Sequence, residues 1–557
     1  MDIPPGFSLD PIRSGAINYP GRTACCDTTT LECWTYADLD GDVSAAAAHL
    51  AEEGVRAGDR VAVLAPNSVY LVILQHALMR LGAIFVPLNW RLSLPELAGL
   101  LADCSPALLY THSSHGSGGN AGTSGSILTT ETAPPPGRCR HLDWTQTFVD
   151  ALQNARKSPL EPITPRAVSA DAAATILYTS GTSGRPKGVV LTRRNMAATG
   201  LNFSALGAVD GASLLLCDAP MFHVIGLVVA VWAPLASGAA FVVSPRFDPA
   251  ATNDRLASGV THYFCVPQMA DALARAPNFR PEGWTRLRAL FTGGAPNPPA
   301  RVRGWLGRGV LMADGYGTTE TGTALGMPPL SPAAVAAKAG SVGRQPPLAR
   351  VEILDELGSP VGVGEAGEVA VAGPSVSPGY WGGVAEDGRA RLLSLDGSGA
   401  TATALVDGEG GYPWYRTGDV GRRDEDGFVY IMDRRKDVFI SGGENVYPAE
   451  VEAALATHPK VAEVAVIGVP DARWGEVGRA YIVLAQQEEG QAGNGASQHP
   501  DETAASAHLV EHCRSLIGGY KIPKQFRFVH GLPRTGSGKV MKHVLKAEAA
   551  SETDRGP

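Results

Sequence analysis

Tyr178-Thr-Ser-Gly-Thr-Ser-Gly-Arg-Pro-Lys-Gly188 is the stretch from which the rest of the chain can be read. A short apolar run, Thr175-Ile-Leu-Tyr178, precedes it and reads as a strand. The chain then breaks into glycines and small hydroxyl residues. Gly181, Gly184 and Gly188 free the backbone to turn tightly and to aim successive N–H groups at one point. Thr179, Ser180, Thr182 and Ser183 add hydroxyl donors, and Lys187 adds a positive charge. Such a loop suits a polyphosphate. It is not a Walker A loop, because Gly-Lys followed by Ser or Thr after four spacer residues is absent. A Gly/Ser run lacking the lysine would ordinarily be a surface loop.

Outward from this loop, 557 residues call for two or three domains, and 44% hydrophobic residues supply a large core. A formal charge of −8 leaves no basic footprint, which argues against nucleic acid as a partner. Eight cysteines are scattered, with only Cys25 and Cys26 adjacent, so neither a zinc site nor a disulfide framework is expected. Met1-Asp-Ile-Pro-Pro-Gly lacks the charged-then-apolar order of a signal peptide, and a reducing cytoplasm fits best.

Residues 44–53 read as a helix stopped at Gly54, 60–65 as a strand, 70–81 as a helix and 83–87 as a strand. This alternation implies a mostly parallel sheet covered by helices. Residues 113–126, 394–411 and 486–506 read as polar loop insertions, the first of them mobile. The interval between Asp218 and Arg246 holds no Asp, Glu, Lys or Arg. Pro234 and Gly238 interrupt it, so a buried helix followed by a buried strand (239–243) is favoured over a membrane span. Strands at 261–266, 287–292 and 310–313 each lead into loops, the edge at which open α/β sheets bind ligands. After about residue 345 short strands suggest a β-rich subdomain. Beyond Asp433 a helix at 448–456 and strands at 461–467, 480–484 and 525–529 describe a small α+β domain. Its tail, after about residue 547, is expected to be disordered.

The 178–188 loop closely resembles the phosphate-binding signature of the acyl-adenylate-forming superfamily, and further signatures follow in order. Thr292-Gly-Gly-Ala-Pro296 resembles the turn that lies against adenine, with Gly293 near the acyl group and Gly294, Ala295 and Pro296 near the base. Asp314-Gly-Tyr-Gly-Thr-Thr-Glu320 resembles the family's Tyr-Gly-x-Thr-Glu motif. By that resemblance Tyr316 stacks on the base, Asp314 accepts from its amino group, and Gly315, Gly317 and Thr318 line the nucleotide. Thr319 bonds phosphate and Glu320 holds Mg²⁺, a hard cation that takes oxygen ligands. Asp419, within Tyr415-Arg-Thr-Gly-Asp419, would accept the ribose hydroxyls. Residues 434–437 resemble the hinge, with Arg434 at ribose or phosphate and Lys436 as pivot. Ser441, Gly442, Gly443 and Glu444, with Trp474, resemble the lining of the pantetheine tunnel. Lys539, in Pro533-Arg-Thr-Gly-Ser-Gly-Lys539, matches the family's C-terminal catalytic lysine. In Thr192-Arg193-Arg194-Asn195, Arg193 stands where many relatives carry histidine.

The resemblance spans about residues 35–545. It implies a large domain (1–433) of mixed, mostly parallel sheets sandwiched by helices plus a β-rich subdomain, a hinge (434–437) and a small mobile α+β domain (438–557). It implies ATP, Mg²⁺ and coenzyme A, and a carboxylate that attacks the α-phosphate before a thiol displaces AMP. His223 would lie near that carboxylate, and Val224, Ile225, Leu227 and Val228 would wall the acyl pocket. No acidic residue is present there to pair an ammonium group, whose burial would cost several kcal/mol. A hydrophobic acid is therefore favoured: fatty, aryl or bulky alicyclic. An acyl carrier protein is the alternative thiol, a protein limited to one half-reaction or to binding alone is a further reading, and a homodimer is compatible with either. Replacing Lys539 by Ala should suppress adenylation far more than thioester formation from supplied adenylate. A bulky residue at Gly443 should do the reverse. Assaying the two half-reactions separately checks both roles, and equal loss of both in Lys539→Ala refutes the first.

Overall fold

The computed structural model describes residues 3–4, 7–112, 139–156, 168–179, 186–295, 297–328, 331–382, 412, 414–485, 502–534 and 539–554. The insertions read at 113–126 and 394–411 lie outside the described residues, as does most of the third; its last residues, 502–506, instead begin the helix Glu502–Arg514. The chain divides into two compact units. The first comprises Met1–Glu352, Leu357–Ser359 and Ala370–Thr417; the second comprises Ile353–Glu356, Pro360–Val369 and Gly418–Pro557.

Two sheets build the first unit. The larger runs Gly322–Gly326, Met312–Thr318, Ala289–Thr292, His262–Cys265, Leu214–Cys217, Ala240–Val243, Thr23–Asp27, Cys33–Thr35. All its internal pairs are parallel, and only the two edge pairs are antiparallel. The smaller runs Gly379–Tyr380, Lys187–Thr192, Ala173–Thr179, Ile84–Pro87, Arg60–Leu64, Leu108–Thr111, Arg140–Asp143. Helices Val69–Leu81 and Arg193–Gly207 each touch strands of both sheets. A helix in that position must be apolar on every side, and Leu71, Val72, Ile73 and Leu74 are all at most 2% exposed. Among the polar residues of Val69–Leu81, Gln75 hydrogen-bonds Thr175 Oγ1 at 3.2 Å and Trp232 Nε1 at 3.4 Å, Arg80 pairs with Asp10 and Asp40, and His76 is buried.

Local chemistry moves several expected boundaries. The helix predicted from residue 44 spans Tyr36–Glu52, because Thr35 and Asp38 form a reciprocal capping box at its start. The charge-free segment forms a π-helical turn, Ile225–Val229, continuing into the α-helix Ala230–Ala236. Gly226 is required there, since a Cβ would lie 2.4 Å from the Pro220 carbonyl oxygen. Among the described residues no helix is long and apolar enough to cross a membrane.

In the second unit, Glu444–Val446, Phe439–Ser441, Gly475–Leu484 and Val461–Asp471 form an antiparallel sheet, and Gln525–Phe528 adds a parallel strand to Gly475–Leu484. Helices Pro448–Leu455 and Glu502–Arg514 contribute Val451, Leu455 and Leu509 to its core.

Two expectations are corrected. Cys26 and Cys33 form a disulfide, because the antiparallel pairing of Thr23–Asp27 with Cys33–Thr35 sets them directly opposite; the other six cysteines are free. The tail expected to be disordered after 547 is instead the helix Lys542–Asp554. Leu545 and Ala549, four residues apart on one face, are buried with Ile467, Val469 and Tyr481, and Glu552 accepts from Arg479 at 2.8 Å. Leu545→Ala should therefore destabilise the second unit by about 3 kcal/mol, a buried large-to-small loss. Urea unfolding followed by the tryptophan of that unit measures it, and a change near zero would mean the helix is not docked.

Candidate active site

The expected phosphate loop leaves the smaller sheet at Thr179 and returns at Lys187, which face each other across an antiparallel pair. Thr179 Oγ1 donates to the Lys187 carbonyl at 3.4 Å. Ser180, Gly181, Thr182, Ser183 and Gly184 lie outside the described residues, as does Pro296. The return strand Lys187–Thr192 pairs with Gly379–Tyr380, and this pairing brings in a residue the sequence reading missed. The Lys187 ammonium sits 5.5 Å from the centre of the Tyr380 ring, and Tyr380 Oη donates to Glu320 Oε1 at 2.9 Å. Tyr415 Oη lies 3.4 Å from the same phenol oxygen. Burial, then the neighbouring Glu320 carboxylate, pushes the Tyr380 phenol well above its ordinary range, so it stays a donor. Tyr380 thus joins the cation of the loop to the expected metal ligand. Its sequence signal was the aromatic pair Tyr380-Trp381 behind Gly379, which carries no chemistry of its own.

Glu320 is held at the tip of a hairpin. Met312–Thr318 turns through 319–321 into Gly322–Gly326, and the Thr318 N–H donates to Thr321 Oγ1 at 3.0 Å. The glycines of this motif have a packing reason: a Cβ on Gly317 would lie 1.9 Å from the Gly322 carbonyl oxygen. The Glu320 carbonyl accepts from the Ser377 N–H at 2.7 Å, fixing the tip to the segment that carries Tyr380. Thr319 and Tyr316 are half-buried beside it. Asp314, at the base of the hairpin, is only 6% exposed. It accepts from Thr292 Oγ1, which accepts in turn from Asn297 Nδ2 at 3.1 Å. Burial raises its carboxyl to about 7.

The turn after Ala289–Thr292 meets the charge-free segment. Gly294 adopts φ +76°, and a Cβ there would stand 3.9 Å from both Ile225 Cδ1 and Val266 Cγ1. A Cβ on Gly293 would meet the Gly315 carbonyl at 2.9 Å and Phe264 at 3.0 Å. His223, Val224 and Ile225 are half-buried, whereas Leu227 and Val228 are fully buried. The surface this segment offers a ligand is therefore the first three, and the last two pack the core beneath. Asn67, also missed, holds the segment in place. Its Nδ2 donates to the Ala219 and Ser244 carbonyls at 2.9 and 3.2 Å, and its Oδ1 accepts from Met221 N–H at 2.9 Å. An Asn after Pro reads in sequence as a turn residue, which hid this role. Asp218, the last acid before the segment, is buried against Thr252 and Tyr263, and burial raises its carboxyl to about 6.

The remaining expected residues belong to the second unit. Asp419 pairs in register with Arg434 across the hairpin of Trp414–Arg423 with Val429–Arg434, and the Arg434 Nε lies 3.4 Å from Asp419 Oδ1. Lys436 follows in the turn. Ser441 and Glu444 face each other across a two-residue turn in which Gly442 and Gly443 have φ +62° and +90°, the left-handed pair that such hairpins need. Trp474 is close: the Gly442 N–H donates to its carbonyl at 2.9 Å, and a Gly442 Cβ would lie 2.9 Å from its ring. Lys539 is exposed and precedes Val540, which bridges to Arg534.

A family model described as the AMP-binding enzyme matches residues 13–381, and one described as its C-terminal domain matches residues 450–539. The chain belongs to the AMP-binding enzyme family. Feruloyl-CoA synthase of Amycolatopsis sp is 38% identical over 92% of this chain and 93% of its own. A long-chain-fatty-acid–CoA ligase of Mycobacterium tuberculosis is 32% identical over 96% and 97%. Among solved structures, the o-succinylbenzoate CoA synthetase of Bacillus subtilis in complex with its acyl-adenylate intermediate superimposes with a TM-score of 0.76, at 30% identity over 96% and 98% of the two chains. ATP-bound MatB from Rhodopseudomonas palustris gives 0.80 at 28% identity over 97% and 98%.

Asp314 gives a signed test. Its carboxyl titrates near 7 when folded and near 4 when unfolded. The folded state therefore binds more protons between these values, and this group's contribution to stability falls as pH rises through that window. Asp314→Asn should reduce the loss of stability between pH 5 and pH 7 by about 2 kcal/mol relative to the parent protein. Denaturant midpoints at the two pH values check this, and parallel pH profiles refute it.

Proposed function

We infer that the protein is an ATP-dependent acyl-CoA ligase that activates a hydrophobic carboxylic acid as its adenylate and passes the acyl group to coenzyme A. The observation that supports this reading is an apolar wall beside the turn after Ala289–Thr292 and an ionic cluster at the turn after its neighbouring strand Met312–Thr318. Ile225 and Val266 flank Gly294, while Lys187 and Glu320 share Tyr380. An acid lying along Ile225 would bring its carboxylate towards His223. Lys187, Thr179 and Thr319, with the 180–184 backbone, would hold the phosphates, and the positive charge would offset repulsion between the two anions. Gly294, Ala295 and Tyr316 would face the base, and Asp419 with Arg434 the ribose.

Among the described residues no group of three or more His, Cys, Asp or Glu could hold a metal ion. A single half-buried carboxylate oriented by a phenol suits Mg²⁺, which completes its shell with phosphate and water oxygens. When bound, Mg²⁺ would supply charge neutralisation at the phosphates; Glu320 would hold it and Tyr380 would orient Glu320.

Lys539 would serve adenylation and the Ser441–Glu444 turn with Trp474 would serve thioester formation, the exchange being made by rotation at 434–437 with Lys436 as pivot, between a 1–433 domain and a 438–557 domain. The glycine turn against the Trp474 ring suits a slim pantetheine chain, the arm on which coenzyme A carries its thiol. An acyl-carrier thiol is the alternative acceptor, and a homodimer the alternative to a monomer. A cytoplasmic location is proposed on the six free cysteines alone, with the Cys26–Cys33 disulfide as the feature that speaks against it. The acid is proposed to be aryl, fatty or bulky alicyclic, since Asp218 is committed to Thr252 and Tyr263 and no acidic residue follows it in the segment.

The test supplies ATP, Mg²⁺ and a panel of hydrophobic acids, with and without coenzyme A, and follows pyrophosphate and thioester separately. Pyrophosphate together with acyl-CoA from one acid is the expected result. Pyrophosphate without thioester would transfer the reading to a carrier-protein acceptor. Thioester from preformed acyl-adenylate alone would restrict the protein to the second half-reaction.

A further inference from the structure

The helix Lys542–Asp554 carries two lysines whose placement the functional reading above leaves unused. Lys542 and Lys546 are four residues apart and so share one face of the helix. Lys546 contacts the 433–437 segment directly, and Lys542 pairs with a carboxylate of the neighbouring helix Pro448–Leu455. Lys546 Nζ donates to the Lys436 carbonyl at 3.0 Å and to Asp437 Oδ1 at 3.0 Å. Lys542 Nζ is 2.7 Å from Glu452 Oε1. Burial would lower the Lys542 ammonium, but Glu452, Asp433 and Asp437 together hold it above its ordinary range. Asp433 in turn accepts from the Ala449 N–H at 2.6 Å, near the start of helix Pro448–Leu455. Burial raises its carboxyl to about 6, against the pull of Lys542. Two cations and three carboxylates are thus gathered where a strand end, a helix start and the C-terminal helix converge.

Such a cluster is a poor device for stability alone. A buried ion pair must offset the desolvation of both partners, and an apolar replacement often does as well. It does fix geometry, because a lysine reaching the Lys436 carbonyl and the Asp437 carboxylate holds the outgoing side of that turn against the helix while leaving the torsions of Lys436 before its carbonyl free. Two further bonds close the same turn: the Asp437 and Val438 N–H groups both donate to the Arg434 carbonyl, at 2.9 and 3.1 Å. Lys539 stands three residues before Lys542, and the Met541 N–H donates to the Pro533 carbonyl at 2.8 Å.

We propose that Lys546 is a positioning residue that clamps the outgoing end of the pivot turn, the Lys436 carbonyl and Asp437, to the C-terminal helix, so that the chain leaving the pivot and the Lys539 turn move as one body. This rests on the ligase reading for its consequence and on geometry alone for the clamp. A change in the pivot is then transmitted to Lys539 without slack, which matters because misplacing a catalytic group by about 1 Å can cost on the order of a hundred-fold in rate.

Lys546 is the position to change, since removing Lys542 would strand buried carboxylates and unfold the unit. Hydrogen exchange of the full chain, compared among the parent, Lys546→Met and Lys546→Arg, reads the clamp. Lys546→Met should speed exchange across 434–441 roughly ten-fold, through the loss of the two hydrogen bonds that the ammonium donates to this turn, while the 542–554 helix stays protected. Lys546→Arg should restore most of the protection. Unchanged exchange at 434–441 overturns the clamp, and a general rise across the unit shows a merely structural role and overturns it too. The two half-reactions give the consequence. Lys546→Met should change the ratio of adenylation to thioester formation, and an unchanged ratio with faster exchange overturns the positioning role. Absence of both half-reactions in the parent protein would instead defeat the ligase reading, leaving the exchange result to stand by itself.

Discussion

The helix Val69–Leu81 is in contact with both sheets of the first unit, and this single burial constrains much of what surrounds it. A cylinder packed on two sides is buried along most of its length, so its sequence is rich in apolar residues, its one glutamine is hydrogen-bonded and its arginine, Arg80, is paired with Asp10 and Asp40. Its entry is fixed as tightly. Asp27, from the other sheet, accepts from the Val69 N–H at 3.0 Å, and Asn67 just before it ties down the backbone at 219, 221 and 244. The wall presented by His223, Val224 and Ile225 is therefore anchored to the same helix entry that joins the sheets.

On that frame the electrostatics are arranged by burial and pairing. Lys187 and Glu320 come from different strand pairs and carry opposite charges, yet they are linked through Tyr380 rather than in direct contact. A phenol whose ionisation is suppressed can orient a carboxylate without neutralising it, which leaves the carboxylate able to bind a cation. Asp314 shows the opposite treatment. Its carboxyl is buried under the hairpin and engaged by Thr292, so it serves the geometry of the turn.

The second unit shows how polar sequence can mislead. The residues after about 547 have the composition of a frayed tail, yet Leu545 and Ala549, spaced by four, dock the helix Lys542–Asp554, and charged residues flanking them find partners. The Gly442–Gly443 turn shows the reverse, a local requirement readable in advance because two successive positive φ angles admit little but glycine. The Cys26–Cys33 bridge belongs with the misleading cases. The two cysteines lie seven positions apart in the chain, and only strand register brings them together.

The order of strands and helices, the ligand edge of the sheets and the family were all determined by the chain itself. Each depends on local or near-local signals: alternation of apolar runs, glycines where the backbone must turn, and motifs whose residues are adjacent in sequence. Asp419 with Arg434 was legible for the same reason, since both lie in matched signatures that fold into one hairpin. Tertiary structure alone decided which side chains complete the site. Tyr380 reaches Glu320 across sixty residues, and Asn67 reaches Ala219 across more than a hundred and fifty. It also decided that Leu227 and Val228 serve the core while Ile225 meets Gly294. The physical reason is that side-chain contacts between distant segments depend on strand register and helix rotation, which packing sets and which no short pattern in the chain encodes.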